Sequence, residues 1–339
     1  MSLQVWAQEW LERRVIGEST RRNYEGFIQN HLVPRLGQKM LAGLARRDFE
    51  EFAKQLYSSG AGLAVSTIND RLVMVAAMLE VAVVEKRIRH NPARGARVSG
   101  AAPCAVDEDE TPTLGEVDLI AEHIAPQYRL AVYLQSGAGQ RPSEALAFST
   151  ECRRSGFVRV RWQVSAKAHR DDCRTAFVPL KHRTEGEYRD VPVAPFVEQE
   201  IDGHLSRWAP VSVAFTGLRG GRRRLEVFFS PRQRGKGVMP TASTFGYRFK
   251  EACVAAGVVD MDGKAKYTPG SLRHLLASTA LANGVPIREV SRWLGHKSIK
   301  TTVDIYGHLV PEAWGRCRDV MHNAMRPAVE ESGESVSAA

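Results

Sequence analysis

The fifteen residues LGHKSIKTTVDIYGH, Leu294 to His308, place a tyrosine ten positions after a histidine in a small, polar and basic segment. Gly295 reads as a helix-ending glycine, and Ser298, Thr301 and Thr302 supply caps for a short helix leading to Tyr306. His296 and Tyr306 then approach one site. A protonated phenol is a poor nucleophile, so a reactive tyrosine needs cations beside it to stabilise its anion and the charge on its target. The question posed by this stretch is where in the chain those cations lie.

With 339 residues the chain has room for two ordinary domains, and 43% hydrophobic with 25% charged residues is the balance of a globular protein. A formal charge of +9 and a pI near 9.5 point to a polyanionic partner, nucleic acid or an anionic membrane. No run of eighteen apolar residues exists, and Met1 to Gly17 lacks the order of a signal peptide, so the chain is expected in the cytoplasm, at the nucleoid, with no membrane partner. The five cysteines, Cys104, Cys152, Cys173, Cys253 and Cys317, are scattered without a CxxC pair and read as free thiols. His169, Cys173 and His182 match no metal spacing, so no metal site is expected.

Residues 1–98 read as a four-helix unit. Apolar positions recur at helical spacing in Val5, Trp6, Trp10 and Leu11, in Tyr24, Phe27, Ile28 and Leu32, and in Leu72, Val75, Met78, Leu79 and Val83. Up to residue 100 there are fifteen Lys and Arg against ten Asp and Glu, a modest basic bias, and Arg21, Arg22, Asn69, Arg71, Lys86 and Arg87 are the candidates for phosphate contact. Arg94 to Asp109, rich in Ala, Gly and Pro and acidic at its end, reads as an exposed stretch, with a linker over 99–110.

The second segment opens on Thr113 and Glu116, spaced as a capping box, followed by helices to Ile124 and over Tyr128 to Ser136. In SGAGQRPSEALAF the glycines at 137 and 139 allow a tight turn, and Arg141 sits at the entrance of the next helix, where its planar fork can grip an oxyanion. From Gly156 to Val193 the period changes to alternation. Strands are expected over Phe157 to Trp162, Thr175 to Leu180 and Arg189 to Val193, forming one small antiparallel sheet with Lys181 at a hairpin tip. Thr216 to Gly237, which contains LRGGRRR, reads as a flexible basic loop with a buried insert at Val227 to Phe229. TPGSLRHLLASTALANG, residues 268–284, is a clear helix carrying Arg273 and His274 in its first turns.

Four motifs, GAGQRPSEAL, VPLKHRTEGEYRDVPV, SLRHLLAS and LGHKSIKTTVDIYGH, resemble in that order the catalytic set of the tyrosine recombinase, or phage integrase, family. The resemblance implies a mostly α fold with a small antiparallel β-sheet: a helical core-binding domain over 1–98, then a mixed α/β catalytic domain over 111–310. It implies a site-specific recombinase that cuts and rejoins DNA through a 3′-phosphotyrosyl bond, for integration or excision of a phage or mobile element. Tyr306 would be the nucleophile, Arg141, Arg273 and His296 would stabilise the phosphate oxygens, Lys181 would protonate the leaving 5′-oxygen, and Glu144 would orient the site. The implied partners are double-stranded DNA with recombination sites, further copies of the chain up to a tetramer in the synapse, and DNA-bending accessory proteins. No cofactor is implied.

One position departs from the pattern. Three residues before Arg273 the family usually carries a histidine, and here Gly270 stands there, with no side chain to move a proton. His274 reads as structural, on the wrong side of Arg273 by helical phase, while Tyr267 and Lys266 are displaced candidates for the vacant role. Two alternatives follow, a DNA-binding relative that has lost catalysis and a type IB topoisomerase-like relaxing enzyme. The segment 311–326, with Trp314, Val320, Met321 and Met325 at helical spacing, is expected to form a C-terminal helix for protomer contact, followed by a polar tail over 327–339.

Overall fold

Large apolar side chains at helical spacing and a few turn glycines set the course of the chain in the computed structural model. It describes residues 1–58, 63–100, 105–106, 108–165, 177–218, 220–231 and 239–309, together with 318, 321, 322, 324 and 325. Most of the expected C-terminal helix and all of the polar tail, like His169 and Cys173, lie outside the described residues. The chain is mostly helical with small antiparallel sheets, and it divides into two compact units, Met1–Pro103 and Cys104–Ala339.

In the first unit, α1 (Leu3–Arg13), α2 (Glu18–Phe27), α3 (Val33–Leu36), α4 (Arg46–Ser58) and α5 (Val65–Val84) bury Trp6, Phe49, Phe52, Leu72 and Met78 together. The Trp6 indole N–H donates to Met78 O at 3.2 Å, which satisfies its one polar atom inside the core. Between α2 and α3, residues Ile28–Leu32 form a π-turn. Pro34, just beyond it, has no N–H to donate and a ring that clashes with the carbonyl four residues back, and the wider turn accommodates both.

The second unit begins with α6 (Leu114–His123), capped as its sequence predicts: Glu116 N–H donates to Thr113 Oγ1 at 3.2 Å, and Glu116 Oε2 accepts from Thr113 N–H at 2.8 Å. Next come α7 (Arg129–Ser136) and α8 (Pro142–Ala145), a single turn. Five short strands follow, β1 (Arg153–Arg154), β2 (Phe157–Val160), β3 (Trp162–Val164), β4 (Phe177–Pro179) and β5 (Arg189–Pro192). After them lie α9 (Pro195–Arg207), β6 (Val211–Thr216), β7 (Arg222–Val227), α10 (Ala242–Ala255), α11 (Pro269–Ala282), α12 (Ile287–Leu294) and α13 (Ile299–Tyr306). Helix α7 lies against α11, and β5 against α12. Phe148, Phe177, Phe229, Phe245 and Phe249 are fully buried around them.

Three expectations need correction. The single sheet is two: β1, β2 and β5 form one and β3 with β4 another, because the apolar run from Phe157 to Val164 is interrupted at Arg161 and gives its halves to different partners. The basic loop after Thr216 is largely a hairpin, with Thr216 opposite Arg222 and Val211 opposite Val227. Its turn closes through Gly217 N–H to Gly221 O at 2.9 Å, and Gly220 takes a φ of +83° that suits only glycine. The sequence hid it because only Phe215, Leu225 and Val227 are buried in the two strands, leaving too little alternation to read. Finally, Val106 is not part of an exposed linker. Its N–H donates to Ile305 O at 3.0 Å, its carbonyl accepts from His308 Nε2 at 3.0 Å, and its side chain packs in a small core with Tyr306.

Candidate active site

The site starts from a tight turn between α7 and α8. Gly139 holds φ at +56°, a conformation that favours glycine, and a Cβ there would stand 2.6 Å from Leu276 Cδ2 on α11, so that side chain would have to shift. The turn delivers Arg141 to the N-terminus of α8, where Pro142 starts the helix and Glu144 accepts the Arg141 N–H at 2.8 Å and its Nη1 at 2.9 Å. From β5, Arg189 reaches the same carboxylate with both Nη atoms, at 3.1 and 2.6 Å, while its Nε donates to Trp293 O at 2.6 Å. Glu144 and Arg189 are buried, so this is a desolvated, bidentate pair. Burial alone would raise the Glu144 carboxyl. Arg189, with Arg141 and Arg273, outweighs that and holds it at about 2.

Arg273, on the buried face of α11, donates through Nη1 to Gly139 O and through Nη2 to Leu294 O, which pins the turn before α8 to the end of α12. Burial, then Arg141 and Arg189, lower its guanidinium from 12.5 to about 9, so it stays charged at neutral pH. Helix α12 ends as expected at Gly295, with φ +64°, and the chain turns so that the His296 N–H donates to Ser291 O at 3.2 Å. His296 Nδ1 meets Thr302 Oγ1 of α13 at 2.8 Å. Burial first, then Arg273, Arg141 and Arg189, push the His296 imidazole down to about 4, so at neutral pH it is uncharged.

Tyr306 closes α13 with 1% of its surface exposed, packed against Val106, Leu281, Val290 and Leu294. Burial raises its phenol to about 12, and Arg273 and Arg141 act in the opposite direction. The oxygen is not alone. His274 Nδ1 lies 2.6 Å from it, at the start of α11. His274, read from the sequence as structural, is thus in direct contact with the phenol oxygen. The phase argument behind that reading fails because Gly270 and His274 are four residues apart, hence neighbours on one face of the helix.

Residues 106–312 match the model of the phage integrase family. The chain belongs to that family. It is a site-specific recombinase of the tyrosine class. Among relatives it is 25% identical over 320 residues to the prophage phiRv2 integrase of Mycobacterium tuberculosis, covering 93% of this chain and 76% of that one. It is 34% identical to the tyrosine recombinase XerD of Vibrio cholerae over 107 residues, 32% of each chain. In fold it is similar to the Tn1549 transposon integrase in complex with transposon right end DNA, with a TM-score of 0.73, 18% identity, and coverage of 96% of this chain and all of that one. A lambda integrase tetramer bound to a Holliday junction gives a TM-score of 0.61, 17% identity and coverage of 88% and 78%.

Within this integrase fold, Arg141, Glu144, Arg273, His296 and Tyr306 come together, joined by Arg189, which the sequence reading did not single out, and by His274, which it took as structural. A signal for Arg189 existed: it stands two residues before buried Val191 on β5, so the two side chains share the inner face of the sheet. Lys181 stands exposed in the turn after β4, beside His182, whose imidazole is lowered first by burial and then by Lys181, Lys297 and Arg141. Of the displaced candidates, the Tyr267 hydroxyl donates to Glu116 Oε2 at 3.1 Å and Lys266 pairs with Glu116 at 3.5 Å, so both are engaged at the start of α6.

The candidate phosphate contacts of the first unit divide by what they touch. Arg21 donates to Leu11 O and Arg14 O at 2.8 and 2.6 Å, closing the end of α1. Asn69 clamps Val98 by its N–H and carbonyl at 2.8 and 3.0 Å. Arg71 lies over the rings of Tyr24 and Phe27, each 6.0 Å from the centroid. Arg87 lies over Trp6 and 3.8 Å from Glu9, Lys86 is exposed with φ +60°, and Arg22 is half-buried. Among the described residues no helix is long and apolar enough to cross a membrane, and no three His, Cys, Asp or Glu gather as metal ligands.

Proposed function

We propose that this integrase cuts and rejoins double-stranded DNA at recombination sites through a 3′-phosphotyrosyl bond to Tyr306, integrating or excising a phage or mobile element. The reading rests on the family match over 106–312 and on Tyr306 being buried at the end of α13, where Arg141 and Arg273 act on its phenol against the effect of burial. Isolated, such a tyrosine would be inert. With a scissile phosphate between it and the guanidiniums, the same cations meet the negative charge that grows on the non-bridging oxygens. His296, neutral, has Nδ1 on the Thr302 hydroxyl, and when that hydroxyl donates to Nδ1 the Nε2–H is left as a donor to the same oxygens. Glu144 holds Arg141 and Arg189 in place through its two oxygens.

Tyr306 attacks phosphorus as the 5′-oxygen departs, and Lys181 supplies the proton that oxygen needs. The phosphodiester energy is kept in the covalent bond, and a 5′-hydroxyl of the partner strand reverses the step. The first unit is the core-binding DNA clamp, and copies assemble up to a tetramer in the synapse, as in the lambda integrase complex named above, with DNA-bending proteins assisting.

A duplex of the element–host junction, nicked beside the scissile phosphate so that the short 5′-product diffuses away, traps the adduct. The protein is expected to form a covalent complex that Tyr306→Phe abolishes. DNA binding without any adduct would sink the proposal, and relaxation of a plasmid lacking a second site would replace it with a topoisomerase-like activity.

A further inference from the structure

Gly270 leaves open which group accepts the proton of Tyr306. Its own space is free, since a Cβ built there meets only Thr268 Oγ1, at 3.4 Å. One helical turn on, His274 presents Nδ1 to the Tyr306 hydroxyl at 2.6 Å, with ring centroids 5.6 Å apart. The groups facing it are Arg273 on its own helix, Glu110 before α6, His296 after α12 and Tyr306 on α13. Burial and Arg273 lower its imidazole, Glu110 opposing them, which favours the uncharged ring. In the tautomer that carries its proton on Nε2, Nδ1 is a lone pair able to accept the phenolic O–H.

We propose that His274 is the general base for Tyr306, doing from one turn further along α11 what the missing side chain at Gly270 cannot. In cleavage the O–H bond of Tyr306 breaks, its proton passes to Nδ1, and the freed oxygen pair forms the bond to phosphorus. The bond from phosphorus to the 5′-oxygen breaks, and the leaving oxygen takes its proton from the general acid. In rejoining, the incoming 5′-hydroxyl gives up its proton to that acid as it attacks phosphorus, and the His274 imidazolium returns its proton to the departing phenolate. The Arg273 guanidinium, adjacent in sequence and disfavouring the imidazolium, favours that return.

The inference rests on the recombinase reading, and single-turnover adduct formation on the nicked duplex tests both. His274→Ala is expected to slow the adduct by about 10²–10⁴-fold, the usual share of a positioned base, with duplex affinity and melting temperature near those of the parent and partial recovery on adding imidazole. Its residual rate should climb with pH towards the phenol's own range, while the parent's rate levels off near neutrality. His274→Asn keeps a hydrogen bond to the phenol without basicity, and should be as slow as the alanine variant. Parental speed in His274→Asn would show that His274 only positions the phenol, and a faster His274→Ala would show a latch; either result overturns the inference. A parent protein that forms no adduct at all fails at the recombinase reading instead, and this inference falls with it.

Discussion

Arg189 holds Glu144 through both Nη atoms, at 3.1 and 2.6 Å, across 45 residues of chain and with both side chains buried. Removing one member of such a pair leaves the other charge desolvated and alone. Arg189→Ala is therefore expected to cost about 3–5 kcal/mol, a fall in melting temperature on the order of 10 °C for a unit of this size. Thermal unfolding followed by circular dichroism checks it; a change under about 2 °C would mean that water replaces the guanidinium at little cost.

The same carboxylate makes the protein sensitive to acid. Glu144 sits at about 2 when folded and near about 4.3 when unfolded. Its contribution is complete above the unfolded value and is lost as pH falls through the folded one. Between about pH 4.5 and 2 stability should decline more steeply in the parent than in Glu144→Gln, as measured by denaturant midpoints at each pH. Parallel slopes would contradict the assignment.

A separate window belongs to His296, which is lowered to about 4 in the fold against about 6.5 in the unfolded chain. Here the unfolded state takes up the proton first. Stability contributed by the neutral ring is complete above about pH 6.5 and fades towards pH 4. His296→Gln should flatten the melting temperature over that interval, and an unchanged profile would place the titration elsewhere. Thr302→Val, which removes the hydroxyl at 2.8 Å with little change in volume, should slow adduct formation about tenfold by loosening the imidazole, with duplex affinity unaltered.

Gly139 tests the turn beneath Arg141. Gly139→Ala combines a positive φ with a Cβ 2.6 Å from Leu276 Cδ2, and about 2–4 kcal/mol of destabilisation is expected from the two effects together. Adduct formation should fall as well, because Arg273 holds the Gly139 carbonyl. A variant with parental melting and activity would show that the turn relaxes freely.

In the first unit, structural and phosphate roles separate experimentally. Asn69→Ala removes a two-way clamp on Val98 and should lower stability by about 1–3 kcal/mol without changing the salt dependence of DNA binding. Lys86→Ala should leave stability alone and reduce the slope of log K against log salt by about one. Filter binding at several salt concentrations, beside thermal melts, decides whether the roles are reversed.

Local rules carried much of the fold. The capping box at Thr113 and Glu116, the helix stop at Gly295 and the bounds of α11 and α12 follow from interactions within a few residues, which a sequence displays directly. The β6–β7 hairpin did not show itself, because two strands with one weakly buried face leave little alternation. Among site residues, Arg141, Glu144, Arg273, His296 and Tyr306 stand in motifs whose local form is readable. That Gly270 and His274 share a helix face was also readable from their spacing, though the distance from His274 to Tyr306 was not.

What the sequence alone determined is this set of short-range features: caps, turns, helical faces and the order of the charged motifs. Only the tertiary structure decided that Arg189 from a strand meets Glu144 from a helix turn, that Val106 covers the tyrosine helix, and that the phenol of Tyr306 ends on His274, 32 residues away. Those pairings depend on how elements pack. The free energy of packing is shared among many apolar contacts distant in sequence, and no single stretch encodes them.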